Sequence, residues 1–216
     1  MKLYWIKTNW IIKKIFSNYT WDVSNTGSSN SVYLTFDDGP IPGITEWVLN
    51  ELKKHNVKAT FFCIGDNIDK NPEIFKKVIS DGHSIGNHTF NHLNGWETST
   101  EAYIENTKQC EAAIQKNSTN NLKSEIFRPP YGKLKVSQSR KLRKLGYKII
   151  MWDVLSADFD TTISKEQCLD NVLPNVKPGS IIVFHDSIKA FKNLEYVLPK
   201  TLAYLKENNF NCEVLY

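Results

Sequence analysis

Long apolar runs are missing from the start of this chain, and that absence sets the first limits. In the N-terminal MKLYWIKTNWIIKKIFSNYTW, uninterrupted apolar stretches such as Trp10-Ile11-Ile12 are short. A secretory core needs ~7–15 apolar residues and a membrane span ~20, so the segment reads as neither. Acidic residues are also absent before Asp22, whereas Lys2, Lys7, Lys13 and Lys14 are present. Polar and apolar residues do not separate by helical period there. Packing against the end of a domain is therefore favoured over lying on a membrane surface, the other reading of a basic, aromatic segment. With no leader to read, the expected location is the cytoplasm or the cytoplasmic face of the membrane.

Paired cysteines are lacking too. Cys63, Cys110, Cys168 and Cys212 contain no CxxC spacing, which argues against a thiolate zinc site and for buried free thiols. Blocks of like charge are absent and the formal net charge is only +4, so nucleic-acid binding has no support. No internal repeat or low-complexity tract suggests a solenoid or array.

What is present is an ordinary globular composition. The 216 residues, 41% hydrophobic and 23% charged, suit one domain with a core that needs no disulfides. SNTGSSNS at 24–31 is loop-forming and sets off a segment, 1–30, from a domain over 31–216. In that domain strand-like and helix-like stretches alternate. Strands are expected at 31–36, 59–64, 84–85, 125–128, 147–152, 180–185 and 211–215. Helices are expected at 44–55, from Pro72 to Gly82, at 137–145 and at 194–207. Two more open at capping boxes: Thr98 with Glu101, leading into Tyr103, Thr107, Cys110 and Ile114, and Ser164 with Gln167, ending near Pro178. The pattern predicts an α/β fold, a distorted (β/α)7-type barrel of parallel strands in a single domain.

Asp37, Asp38, His88, Arg128, Asp153 and His185 all fall at or just after the C-terminal end of an expected strand, the face where such barrels gather catalytic groups. His88 and His92, four apart, lie on one side of a helical turn and can reach one metal. Asp37 and Asp38 end a strand before Gly39-Pro40. Adjacent side chains diverge, so one carboxylate can bind a metal while the other addresses its water. Asp38 with His88 and His92 would form a two-histidine, one-carboxylate site suited to zinc hydrolysis or non-haem iron chemistry.

The motifs TFDDGP at 35–40, HTFNH at 88–92, RPPYG at 128–132 and FHD at 184–186 together resemble the polysaccharide deacetylase family, the NodB-homology domain of carbohydrate esterase family four. The resemblance runs from about residue 31 to the C-terminus. It implies hydrolysis of an acyl group, first of all acetyl, from the nitrogen of an amino sugar in a glycan. O-deacetylation of sugars and a non-catalytic binding module on the same fold stay open. It also implies a divalent metal, zinc foremost, with cobalt, nickel or manganese as substitutes, held by Asp38, His88 and His92. Asp37 would be the general base and Arg128 its partner. Tyr131 would lend its backbone N–H to the oxyanion. His185 would be the general acid, paired with Asp158 or with its rival Asp153. Trp152 and Val183 would wall the acyl pocket. Three residues depart from the family pattern: Leu93 replaces a usual Pro, Phe159 a common Trp and Val183 a usual Leu. None removes a catalytic group. Outside the motifs, Trp96 in the loop after His92 could stack on a sugar ring or be an ordinary loop residue.

Overall fold

The computed structural model describes residues 4–23, 30–118 and 122–216. Most of the loop expected at 24–31, its residues 24–29, lies outside the described residues. The first strand, β1 (Ser31–Asp37, SVYLTFD), is β-branched and aromatic and buried along its whole length, as a central parallel strand should be. It is followed by β2 (Thr60–Cys63), β3 (Ser84–Asn87), β4 (Ile126–Phe127), β5 (Lys148–Ile149), β6 (Val154–Leu155), β7 (Ile181–His185) and β8 (Asn211–Glu213). The sheet order is β5-β4-β3-β2-β1-β7-β6, and every pair between these strands is parallel. β8 pairs with the start of β1 at Ser31–Tyr33, whereas β2 takes Thr35–Asp37.

Strand alternation divides the side chains between two cores. Leu34, Phe36, Phe61, Ile182 and Phe184 join Val48, Leu49, Phe75, Leu198 and Leu202 of the helices in the larger core. Tyr33, Phe62, Ile126, Ile150, Ile181 and Leu215 form a second cluster on the opposite face of the sheet. Asp37 shares the strand face of Tyr33 and Thr35, so it belongs to this second face.

The helices are α1 (Trp10–Ile15), α2 (Ile44–Lys54), α3 (Gly65–Lys70), α4 (Pro72–Ser80), α5 (Thr100–Asn117), α6 (Val136–Lys144), α7 (Lys165–Val172) and α8 (Phe191–Glu207). The capping box on α7 forms as expected, with Ser164 Oγ accepting from Gln167 N–H at 3.1 Å. That helix ends at Val172 rather than near Pro178, passing into a 3-10 turn at Leu173–Asn175. On α5 the cap is Ser99, whose side chain accepts from Ala102 N–H at 3.2 Å. Thr98 instead donates to the Asn94 carbonyl, which holds the preceding turn together. All four cysteines are free, and only Cys212 is not fully buried.

The strand expected at 147–152 is the start of a longer, bent stretch. Ile150 N–H reaches the Phe127 carbonyl at 2.8 Å, while Asp153 N–H reaches that of Ile181 at 3.0 Å. The chain from β5 to β6 thus pairs first with β4 and then with β7, joining the two ends of a curled sheet. The N-terminal segment packs on this stretch. Leu155 N–H donates to the Ile6 carbonyl, Thr8 N–H to that of Asp153, and Met151 N–H to that of Thr20. Lys7 and Lys13 each reach Asp153 at 2.5 Å. Trp10, Ile11 and Ile15 of α1 remain exposed. Among the described residues no helix is long and apolar enough to cross a membrane.

Candidate active site

Strand register assembles the cleft. Asp37 stands opposite His185 on β7 and Phe62 on β2, Cys63 opposite Asn87, and Asn87 opposite Phe127. His88 and Arg128 are the next residues of their strands, so groups from five chain segments meet at one end of the sheet.

Arg128 is almost wholly buried. Its Nη1 donates to Asp37 Oδ1 and to Thr35 Oγ1, both at 2.7 Å, and its Nη2 to the Met151 carbonyl at 2.9 Å. The guanidinium also lies over the Phe62 ring, 4.1 Å from its centroid. Burial alone would push the Asp37 carboxyl up. The positive charge of Arg128, helped by His88 and His185, outweighs it and holds the group below its usual range, so Asp37 stays ionised.

Asp38 adopts φ +86°, a conformation that costs a non-glycine residue ~1–3 kcal/mol. Its neighbours hold it there. Asn67 Nδ2 donates to the Asp38 carbonyl at 2.7 Å, and Ile64 N–H to that of Gly39 at 3.0 Å. Gly39 N–H donates to the fully buried Asp186, which also accepts from Thr45 Oγ1 at 2.5 Å. Burial pushes the Asp186 carboxyl up to about 8, with Asp38's negative charge adding to the rise and the Thr45 bond opposing it. A Cβ at Gly39 would lie 2.0 Å from Asp186 Oδ2, so only glycine fits.

His88 Nδ1 lies 2.7 Å from the Arg128 carbonyl. A carbonyl only accepts, so Nδ1 carries the proton and Nε2 presents its lone pair. That Nε2 is 3.8 Å from Asp38 Oδ1, and the His92 Nε2 is 3.3 Å from it. Burial lowers His92 and takes His88 down to about 4, against the pull of nearby carboxylates, so both rings are neutral at pH 7. His92 Nδ1 meets the Tyr131 hydroxyl at 3.1 Å. Asp38 Oδ1 is buried with no hydrogen-bond partner. An orphaned carboxylate oxygen facing two neutral imidazoles is costly unless a cation fills the space. The ligand atoms of Asp38, His88 and His92 lie within 4.8 Å of one another, and this donor set fits a divalent metal.

On the other side of the cleft His185 Nδ1 contacts Asp158 Oδ1 at 2.7 Å, and the His185 backbone N–H donates to Asp158 Oδ2 at 2.8 Å. Burial pulls the imidazole down. The charge and hydrogen bond of Asp158, joined by Asp38 and Asp37, prevail and raise it to about 9. The Phe159 ring meets it T-shaped at 4.9 Å. Asp153, the rival partner, is elsewhere, bound by Lys7, Lys13 and Ser180 Oγ. Tyr131 sits at φ +60° on the turn after Arg128. Val183 is buried and Trp152 half-buried; the Trp152 ring lies against Gly132.

Asp37, Asp38, His88, His92, Arg128, Tyr131, Asp158 and His185 therefore gather around this cleft, and Asp153 does not. Sequence reasoning missed Thr35, Thr45, Asn67 and Asp186. Two of these, Thr35 and Asp186, stand inside the quoted motifs; Asn67 had no signal, because the short helix α3 was not expected.

A cation-ready cluster flanked by a held carboxylate and a held imidazole, on a curled parallel sheet, is the arrangement that metal-assisted hydrolysis needs. Comparison with known proteins gives the family. The polysaccharide deacetylase family model matches residues 24–150, and the chain belongs to that family. It is 34% identical over 183 residues to a peptidoglycan-N-acetylglucosamine deacetylase of Bacillus cereus, a match covering 85% of this chain and 64% of that protein. A chitooligosaccharide deacetylase of Azorhizobium caulinodans is 35% identical over 164 residues, 74% of this chain and 76% of that one. The crystal structure of a peptidoglycan N-acetylglucosamine deacetylase in complex with 4-naphthalen-1-yl-N-oxidanyl-benzamide superposes with TM-score 0.85 at 32% identity, covering 94% of each chain.

Proposed function

We propose that this chain removes acetyl groups from the nitrogen of N-acetylated amino sugars in a glycan, with zinc as its resident ion. N-acetylglucosamine of peptidoglycan or of chitooligosaccharides is the substrate indicated by the names of its relatives. One observation carries the reading. The buried, unpartnered Asp38 Oδ1 between His88 and His92 lies in the same cleft as an ionised carboxylate and a protonated imidazole.

When bound, the divalent ion would supply Lewis-acid polarisation of the amide carbonyl and lower the pKa of a water towards ~7. Asp37, kept ionised by Arg128, takes the proton of the attacking water. Tyr131 offers its backbone N–H to the developing oxyanion, a kind of contact worth ~10²–10³ in rate. Asp158 accepts from His185 Nδ1–H, fixing the tautomer and the ring. Nε2 then delivers its proton to the nitrogen as the carbon–nitrogen bond breaks, giving acetate and a free amine. An amine is a poor leaving group until protonated, whereas a sugar alkoxide needs less help. A general acid raised to about 9 favours amide over ester hydrolysis.

The test is acetate release from N-acetylglucosamine oligomers and peptidoglycan fragments, with and without added Zn²⁺, beside Asp37→Asn. Metal-dependent release that the substitution abolishes supports the reading. Tight metal binding without release from any glycan would overturn it.

A further inference from the structure

Beyond the catalytic groups, the mouth of the cleft carries exposed aromatic rings on a stiff frame. Trp96 is 61% exposed and Tyr131 60%. Lys133 Nζ lies 5.3 Å from the Trp96 ring and 5.9 Å from that of Tyr131, so the ammonium braces the two rings together. The Tyr131 ring in turn lies 4.6 Å from the His92 imidazole. The aromatic surface is thus continuous with the proposed metal site.

The loop that presents Trp96 is tied down from below. Fully buried Gln138 donates from Nε2 to the Gly95 carbonyl at 2.8 Å and to that of Thr98 at 3.2 Å. Lys135 Nζ donates to the same Thr98 carbonyl at 2.8 Å, and Asn94 Oδ1 accepts from Trp96 N–H at 3.1 Å. A Cβ at Gly95 would come 2.3 Å from the Lys133 carbonyl, so the loop and the turn bearing Tyr131 are in backbone contact. Buried hydrogen bonds are here committed to holding a large indole in water. Rigid aromatic surface binds with little entropy loss.

We propose that Trp96 and Tyr131 form a stacking platform for a pyranose ring of the glycan, a sugar beside the one whose acetyl group is cleaved. The occupant is a sugar because its apolar C–H face matches an indole or phenol ring, while its hydroxyls can bond to the Lys133 ammonium beside both rings. The platform rests on the proposed deacetylase reading only in placing the cleaved sugar at the metal site.

The experiment compares zinc-loaded wild type, Trp96→Ala and Trp96→Phe on the N-acetylglucosamine monomer and pentamer. Trp10→Ala, on α1, is the control. Trp96→Ala should raise KM for the pentamer about tenfold, the size of one aromatic contact, with kcat and the monomer KM little changed. Trp96→Phe should recover most of the loss, and Trp10→Ala should match wild type. Calorimetric binding of the pentamer to Asp37→Asn, with and without Trp96→Ala, gives a second readout. Weaker binding in the double variant supports the platform even if no glycan is turned over, which would count against the deacetylase reading alone. Normal turnover with an unchanged pentamer KM in Trp96→Ala would overturn the platform. So would a parallel fall in kcat on both substrates that Trp96→Phe does not rescue.

Discussion

Two charged pairs face each other across the cleft, and they titrate in opposite senses. Asp37 is held below its usual range, so its contribution to stability is present above the ordinary carboxylate pKa and fades as pH falls through the lowered value. His185, raised to about 9, behaves in reverse. Its pairing with Asp158 stabilises fully below the unfolded value near 6.5 and is lost as pH rises through about 9. Deacetylation should therefore fail on the alkaline side near 9, as His185 loses the proton that the leaving nitrogen needs. Asp158→Asn removes the charge that raises His185, so the alkaline limb of the pH–rate profile should move to lower pH. A limb that stays in place would show that His185 is not the acid. Asp37→Asn should lower kcat by ~10²–10⁴, the usual worth of a general base. Calorimetric zinc affinity should be retained, because Asp38, His88 and His92 are untouched.

At the scale of elements, the site depends on how α2, α3 and the end of β7 grip the turn after β1. Asn67 on α3 and Asp186 after β7 hold the main chain around Asp38. Gly39→Ala would drive a methyl group into the Asp186 carboxylate. It should cost ~1–3 kcal/mol, as overpacking does, and weaken zinc binding because Asp38 would shift. Thermal unfolding and a zinc titration would check both effects; an unchanged melting temperature and affinity would refute this view of the turn. The legible and the illegible parts of the molecule separate here. Asp37, His88, Arg128 and His185 could be read because strand ends of a parallel sheet converge, so spacing along the chain translates into nearness in space. Asn67 could not, since GDNIDK is too short to show a helical period. The cap at Ser99 rather than Thr98 was hidden for a related reason: adjacent residues of like capping chemistry differ only in the bond to the Asn94 carbonyl that takes the Thr98 hydroxyl away.

Over the whole molecule, the curled parallel sheet followed from the alternation of strand and helix. The bent stretch that joins its two ends did not, because a strand that changes partners midway has no sequence period of its own. The N-terminal segment bonds to that bend through backbone and charge. Asp153 has a side chain only 4% exposed, against 30% for Lys7 and 22% for Lys13. Replacing both lysines by Met leaves that carboxylate nearly buried with the Ser180 hydroxyl as its remaining side-chain donor. The loss should be about 3 kcal/mol, the lower end for stripping partners from a buried charge, because the lysines are partly solvated. Urea denaturation would measure it, and a loss under about 0.5 kcal/mol, typical of surface changes, would show that solvent already screens the cluster.

The pairing of Ile6 and Thr8 with Asp153 and Leu155 also covers an edge of the sheet. On one flank the stretch from 153 to 156 bonds to β7, and on the other Leu155 N–H and the Asp153 carbonyl are taken by the segment. Strip the segment away and those groups become an open strand edge, a template for any extended chain that passes. The segment thus closes the sheet on that flank, and a trimmed chain would leave those two backbone groups to water.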